Sequence, residues 1–186
     1  MDQIELFNRA IDQTGRIVSA VQGGQLGDPT PCEEWNVRAL LNHTISVVMM
    51  FDGAARGAEF DGSHFANDNV GDDPGASYKA AADKLHEALG RSGVLDATWN
   101  MPFGAVPGNS AVSFATLEVA QHGWDVAKAT RQTPDFDQEV TEAAISAAQA
   151  APAELVRSPN VFGPEADCPE SASMADRLAA FVGRKL

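Results

Sequence analysis

Asn36-Val37-Arg38-Ala39-Leu40-Leu41-Asn42-His43-Thr44-Ile45-Ser46-Val47-Val48-Met49-Met50-Phe51 is the stretch on which the fold turns. Val37, Leu40, Leu41, Thr44, Val47, Val48 and Phe51 recur every three to four positions, which places them on one broad stripe of an α-helix. Asn36 suits the N-cap, since its side-chain oxygen accepts a free N–H of the first turn. The spacing predicts a helix over about 36–56, buried along one side.

The same period continues on either side. Ile4, Phe7, Ile11, Thr14, Val18 and Val21 predict a helix over roughly 2–22, stopped by Gly23-Gly24. Asp28-Pro29-Thr30-Pro31 holds the backbone extended, and Thr30 with Glu33 has the spacing of a capping box around a first turn. Residues 57–75, rich in Gly, Asp and Asn and without a period, predict a loop long enough to cover a site. Tyr78, Ala81, Ala82, Leu85, Ala88 and Leu89 predict a third helix from a Ser77 cap to Gly90. Thr98 to Phe103 carries bulky residues between breakers and predicts an extended loop or an isolated strand.

A fourth helix starts near Ser110 or Ser113 and ends around Thr130, and a fifth follows Pro134 through Val140, Ala144, Ile145 and Ala148. Pro152, Pro159, Pro164 and Pro169 interrupt 152–170, ahead of a short helix with Met174, Leu178, Phe181 and Val182. Helices joined by loops, with almost no strand, define an all-α, up-down four-helix bundle with long loops. Residues 1–186 are expected to form one domain, with 151–186 a Pro-rich tail whose short helix packs on the bundle.

Composition bounds the function. With 186 residues, 44% of them hydrophobic, the chain has material for one packed core. Thirteen basic residues face 26 acidic ones, for a net charge of −13, and the nearest thing to a basic cluster is Arg184-Lys185. Nucleic acid and anionic membranes are therefore poor partners. The longest apolar run, Val47 to Phe51, is far short of the roughly 20 residues that span a bilayer. Met1-Asp2-Gln3-Ile4-Glu5 is acidic where a secretory signal is basic, so a cytoplasmic location is expected, with Cys32 and Cys168 as free thiols.

The chemistry lies on the second and fourth helices. Glu118, His122 and Asp125 fall at i, i+4 and i+7, on one face bordered by Phe114, Ala115 and Ala129. A buried carboxylate without a partner costs several kcal/mol, and the usual remedies are an arginine, a proton or a metal ion. Basic residues are scarce, which favours the metal. His43, at the edge of the 36–56 stripe, also faces inward, and with Glu118 and His122 it would supply three N/O ligands and leave a position open. Zinc is the default ion, and nickel, manganese or iron(II) accept the same donors. The plainer reading makes His43 a hydrogen-bonded core residue and Glu118–His122 an exposed pair worth a few tenths of a kcal/mol. Cys32 reads as a buried thiol, His64 and His86 as surface residues, and Trp124 as a packing residue on another side of its helix.

Thr30-Pro31-Cys32-Glu33-Glu34-Trp35-Asn36-Val37-Arg38-Ala39-Leu40-Leu41-Asn42-His43 and Glu118-Val119-Ala120-Gln121-His122-Gly123-Trp124-Asp125 together resemble the signature of mycothiol-dependent maleylpyruvate isomerase and its relatives in the DinB-like superfamily. The ending, Phe162-Gly163-Pro164 and Arg177 through Arg184, is similar to a subgroup of short actinobacterial members described as metal-binding. The resemblance implies a DinB-like bundle holding a divalent metal through His43, Glu118 and His122. It also implies transfer of, or addition by, a low-molecular-weight thiol such as mycothiol to a small electrophilic substrate. The name-giving isomerase carries a further C-terminal α/β domain that this chain does not match, which separates the metal-site half from that particular activity. Asp125 would orient a ligating imidazole or accept a proton. Loop 57–75 and segment 99–109 would form the rim of the pocket. Two other functions use the same ion: a hydrolase activating water, and a non-enzymatic module that captures a small ligand. Helix faces left over from the bundle leave room for a homodimer.

Overall fold

A computed structural model describes residues 2–152 and 162–186. In chain order the elements are α1 (Gln3–Ser19), a 3-10 turn (Gly23–Gln25), α2 (Val37–Ala55), the single turn α3 (Ser63–Ala66), α4 (Pro74–Leu89), β1 (Thr98–Met101), β2 (Gly104–Pro107), α5 (Gly108–Ala129), α6 (Gln138–Ala150) and α7 (Met174–Phe181). The fold is all-α, and among the described residues the only sheet is the antiparallel pair β1–β2. None of the described helices is long and apolar enough to cross a membrane. Of the Pro-rich stretch, 153–161, with Pro159, lies outside the described residues.

The bundle is a closed ring in which α1 packs on α5 and α4, and α2 packs on α4 and α5. Helix α6 covers α5 and α1, and α7 lies against α6 and α5. Helix α5 is thus wrapped on several sides, and every residue from Ala115 to Ala127 is buried, as expected of a central helix rather than an amphipathic one. Burial of Glu118, His122 and Asp125 follows from that position.

The caps account for the boundaries. The Asn36 side chain accepts from Ala39 N at 2.9 Å and starts α2, as its sequence implies. Helix α4 begins earlier than a Ser77 cap would place it, because Asp73 accepts from Ala76 N and Pro74 fills the first helical position. The Thr30 hydroxyl makes a local turn instead of a capping box, accepting from Cys32 N and donating to the Cys32 and Trp35 carbonyls. The stretch 98–107 is a hairpin, with Trp99 opposite Val106, and Trp99 is wholly buried with its indole N–H donating to Val94 O. Helix α5 starts at Gly108, ahead of Ser110, because the hairpin delivers the chain there and a Cβ at Gly108 would meet Val94 O and the Trp99 indole.

Helices α1 and α5 approach closely at Gly123, where a Cβ would lie 2.5 Å from Thr14 Oγ1 and 2.6 Å from Phe136 Cζ. Alanine is favoured over glycine by about 1 kcal/mol in a helix interior, but overpacking costs about 1–3 kcal/mol. Gly123→Ala should therefore lose about 1 kcal/mol net in urea unfolding. A midpoint above that of the wild type would contradict this close approach.

Candidate metal centre

Three elements build the site. Helix α2 carries His43, α5 carries Glu118, His122 and Asp125, and the single turn α3 carries Phe65. One ligand atom from each of His43, Glu118 and His122 lies within 4.8 Å of the other two. His122 Nε2 is 3.5 Å from Glu118 Oε2, and the His43 and His122 rings meet edge to face with centroids 4.7 Å apart. The Trp35 and Phe65 ring centroids lie 4.6 Å and 5.6 Å from that of His43. Glu118 is 9% exposed, His122 5% and Asp125 0%, so the cluster is withdrawn from bulk water.

The carboxylate of Asp125 is the most connected group. It accepts from Arg184 Nε at 2.8 Å and Nη2 at 3.0 Å, from Gln121 Nε2 at 3.2 Å and from the Cys32 thiol at 3.5 Å. Its Oδ2 also faces His122 Nδ1 at 3.4 Å, a nitrogen that has no hydrogen-bond partner. Arg184 Nη2 reaches Cys32 Sγ at 3.4 Å.

Electrostatics divides the two imidazoles. Burial, reinforced by the neighbouring His122, pushes His43 down to about 3 against the opposing pull of Asp125, so His43 is neutral. Burial also acts to lower His122, but Asp125 and Glu118 outweigh it and raise it to about 9. Asp125 is held below the usual carboxylate range, because His122 and Arg184 overcome the effect of burial. Burial and the Asp125 charge push the Cys32 thiol up to about 12, so it stays protonated and unreactive. With two carboxylates facing one guanidinium, the cluster keeps one negative charge that a proton on His122 or a cation has to balance.

Several sequence expectations meet here. His43, Glu118, His122 and Asp125 are brought together, and loop 57–75 reaches the site through Phe65. The hairpin sits elsewhere: Phe103 packs on Phe114, and both border a cavity of about 680 Å³ with Leu6, Val106 and Ala147. His64 and His86 are partly exposed and stand outside the triad, His86 Nε2 lying 3.6 Å from Asp12. Trp124 packs with Ala175, Ala179 and Phe136 and donates to Asp176. Two members of the site carry no local sign of their place. Cys32 lies 93 positions from Asp125, and Arg184 lies 59 positions from it. Scarcity of basic residues does not leave Asp125 without an arginine, because one arrives from the C-terminal end.

The helical bundle is a DinB-like fold, and it brings His43, Glu118 and His122 together from two of its helices. The chain belongs to the family described as the mycothiol maleylpyruvate isomerase N-terminal domain, whose model matches residues 7–127. Two uncharacterized proteins of Mycobacterium tuberculosis, Rv0738 of strain H37Rv and MT0763 of strain CDC 1551, are each 34% identical to it over 185 residues, 99% of this chain and 98% of theirs. The crystal structure of the mycothiol-dependent maleylpyruvate isomerase superposes with a TM-score of 0.56 at 14% identity, over 80% of this chain and 67% of that one. A histidine-to-alanine variant of that enzyme gives 0.58 at 16% identity over the same shares.

Proposed function

We propose that His43, Glu118 and His122 hold one divalent ion, zinc by preference, and that the centre serves transfer or isomerisation reactions of a low-molecular-weight thiol such as mycothiol. The observation that carries this reading is the meeting of two imidazoles and a carboxylate, from two helices, within 4.8 Å. Such a donor set leaves a coordination position free for an incoming ligand. The family match and the structural neighbours, named for mycothiol dependence, support the thiol.

A divalent ion supplies the positive charge that keeps a thiol as its nucleophilic thiolate near neutral pH. The rest falls to the chain. Neutral His43 offers its lone pair without first losing a proton. Trp35 and Phe65 both pack against its ring. Asp125, facing His122 Nδ1, keeps a proton on that nitrogen and turns Nε2 toward Glu118. Cys32, protonated, does not compete with an incoming thiolate. Residues 1–186 act in this reading as one domain, because Arg184 reaches the centre.

Proton linkage follows from the two histidines. At pH 7 an ion must displace the proton on His122, whose pKa is about 9, and none from His43, whose pKa is about 3. Binding should release about one proton per ion at pH 7, and affinity should rise roughly tenfold per pH unit toward pH 9 and level off above it. Calorimetry in buffers of different ionisation enthalpy measures this, and zero release would contradict it.

The thiol is tested by titrating ion-loaded protein with mycothiol. One binding event that vanishes on chelation is expected. Ion retention without thiol binding would refute the thiol and leave the hydrolase or the ligand-capturing module.

A further inference from the structure

The family match ends at residue 127, and the one guanidinium in the cluster comes from beyond it, at Arg184. The route it takes is specific. Helix α7 closes with Gly183 at φ +93, Gly183 N–H donating to Ala180 O and Arg184 N–H to Ala179 O, which turns the chain back toward the bundle. A Cβ on Gly183 would lie 2.7 Å from Gly163 Cα, so the two backbones cross where only glycine fits. Gly163 N–H and Ala166 N–H donate to Val182 O and Ala180 O and pin this crossing. Arg184 then enters with its side chain 12% exposed and engages both oxygens of an Asp125 that is wholly buried.

We propose that Arg184 is a positioning residue for the centre: by gripping Asp125 through two hydrogen bonds it fixes Oδ2 opposite His122 Nδ1, and so sets the affinity of the triad for its ion. The inference rests on the metal-binding reading. Its physical basis is that a carboxylate with one free oxygen can rotate about its Cβ–Cγ bond, and the fork-shaped guanidinium removes that freedom. The imidazole that leans on the carboxylate inherits the constraint, with Nε2 left directed at Glu118. Gln121 on Oδ1 and the Cys32 thiol on Oδ2 complete the carboxylate's shell, but each is a single and longer contact.

The test is zinc affinity of the full-length protein, read by competition with a chromogenic chelator, for wild type, Arg184→Gln and Arg184→Lys. The direct outer partner of a metal-ligating histidine, here Asp125, is worth about 10–100-fold in affinity, so Arg184→Gln, which loosens that partner without removing it, should bind zinc several-fold to about 10-fold more weakly. Arg184→Lys, which keeps the charge and loses the fork, should fall between it and the wild type. A merely structural role would lower stability and leave the affinity of the folded protein unchanged, so wild-type affinity in both variants overturns the proposal. If Arg184→Gln does not fold, wild-type affinity in Arg184→Lys overturns it alone. A wild type that binds no zinc refutes the metal reading itself, and this role with it. Binding that is strong and indifferent to residue 184 refutes only the positioning role.

Discussion

His43→Ala should leave the bundle folded and strip it of its ion. The remaining donors, Glu118 and His122, sit one turn apart on α5, and no second helix then contributes to the triad. Removing only the outer partner of a ligating histidine costs about 10–100-fold in metal affinity, so removing a ligand outright should cost about 100-fold or more. The mutation removes contacts to Trp35 and Phe65, while the apolar stripe of Leu40, Leu41, Val47 and Val48 stays intact. Circular dichroism should be unchanged and elemental analysis should find almost no ion. A full equivalent of metal in His43→Ala protein would sink the three-ligand centre.

Arg184→Ala should destabilise the protein strongly. It leaves Asp125, 0% exposed, as a charged carboxylate whose strongest partner is gone. Breaking a buried ion pair from one side costs about 3–5 kcal/mol, a large part of the total stability of a domain. The pH dependence has a definite sign. Asp125 is depressed in the folded state, so the pair's contribution is fully present above the unfolded carboxylate pKa of about 3.9 and fades as pH falls through the lower folded value. The gap between variant and wild type should accordingly begin to narrow below about pH 4 and close as pH falls through the depressed folded pKa of Asp125, where the protonated carboxyl needs no guanidinium. Urea denaturation at pH 7 and at pH 3.5 measures both. An Arg184→Ala protein as stable as the wild type at pH 7 would show that the pair contributes nothing to folding.

The parts of this molecule that were legible in sequence are those set by local periodicity and local caps. Asn36 and the stripe from Val37 to Phe51 define α2 nearly to the residue, since cap and apolar face agree. Helix α4 shows how a stronger signal can be overlooked: Asp73-Pro74 is a cap followed by proline at the first helical position, yet it ends a Gly- and Asp-rich stretch that reads as loop. The start of α5 at Gly108 has no side-chain cap, and is fixed by the hairpin folding over it. The same contrast holds in the site. Glu118, His122 and Asp125 share a face by spacing alone, and His43 follows from the edge of its own stripe. Arg184 and Cys32 belong to the site only through tertiary contacts with Asp125, to which no sequence period points. The acid-rich composition even argued against an arginine there, because a count of charges says nothing of where one of them is delivered.

The central claim is that the triad is a metal centre, and counting ions tests it most directly. Protein purified without added metal or a His-tag, stripped with chelator and reloaded with zinc, should carry about one ion per chain by elemental analysis, as expected of a single three-ligand site. No bound ion after reloading would mean that His43, Glu118 and His122 form a buried polar cluster balanced by the proton on His122, and the metal-dependent function would be wrong.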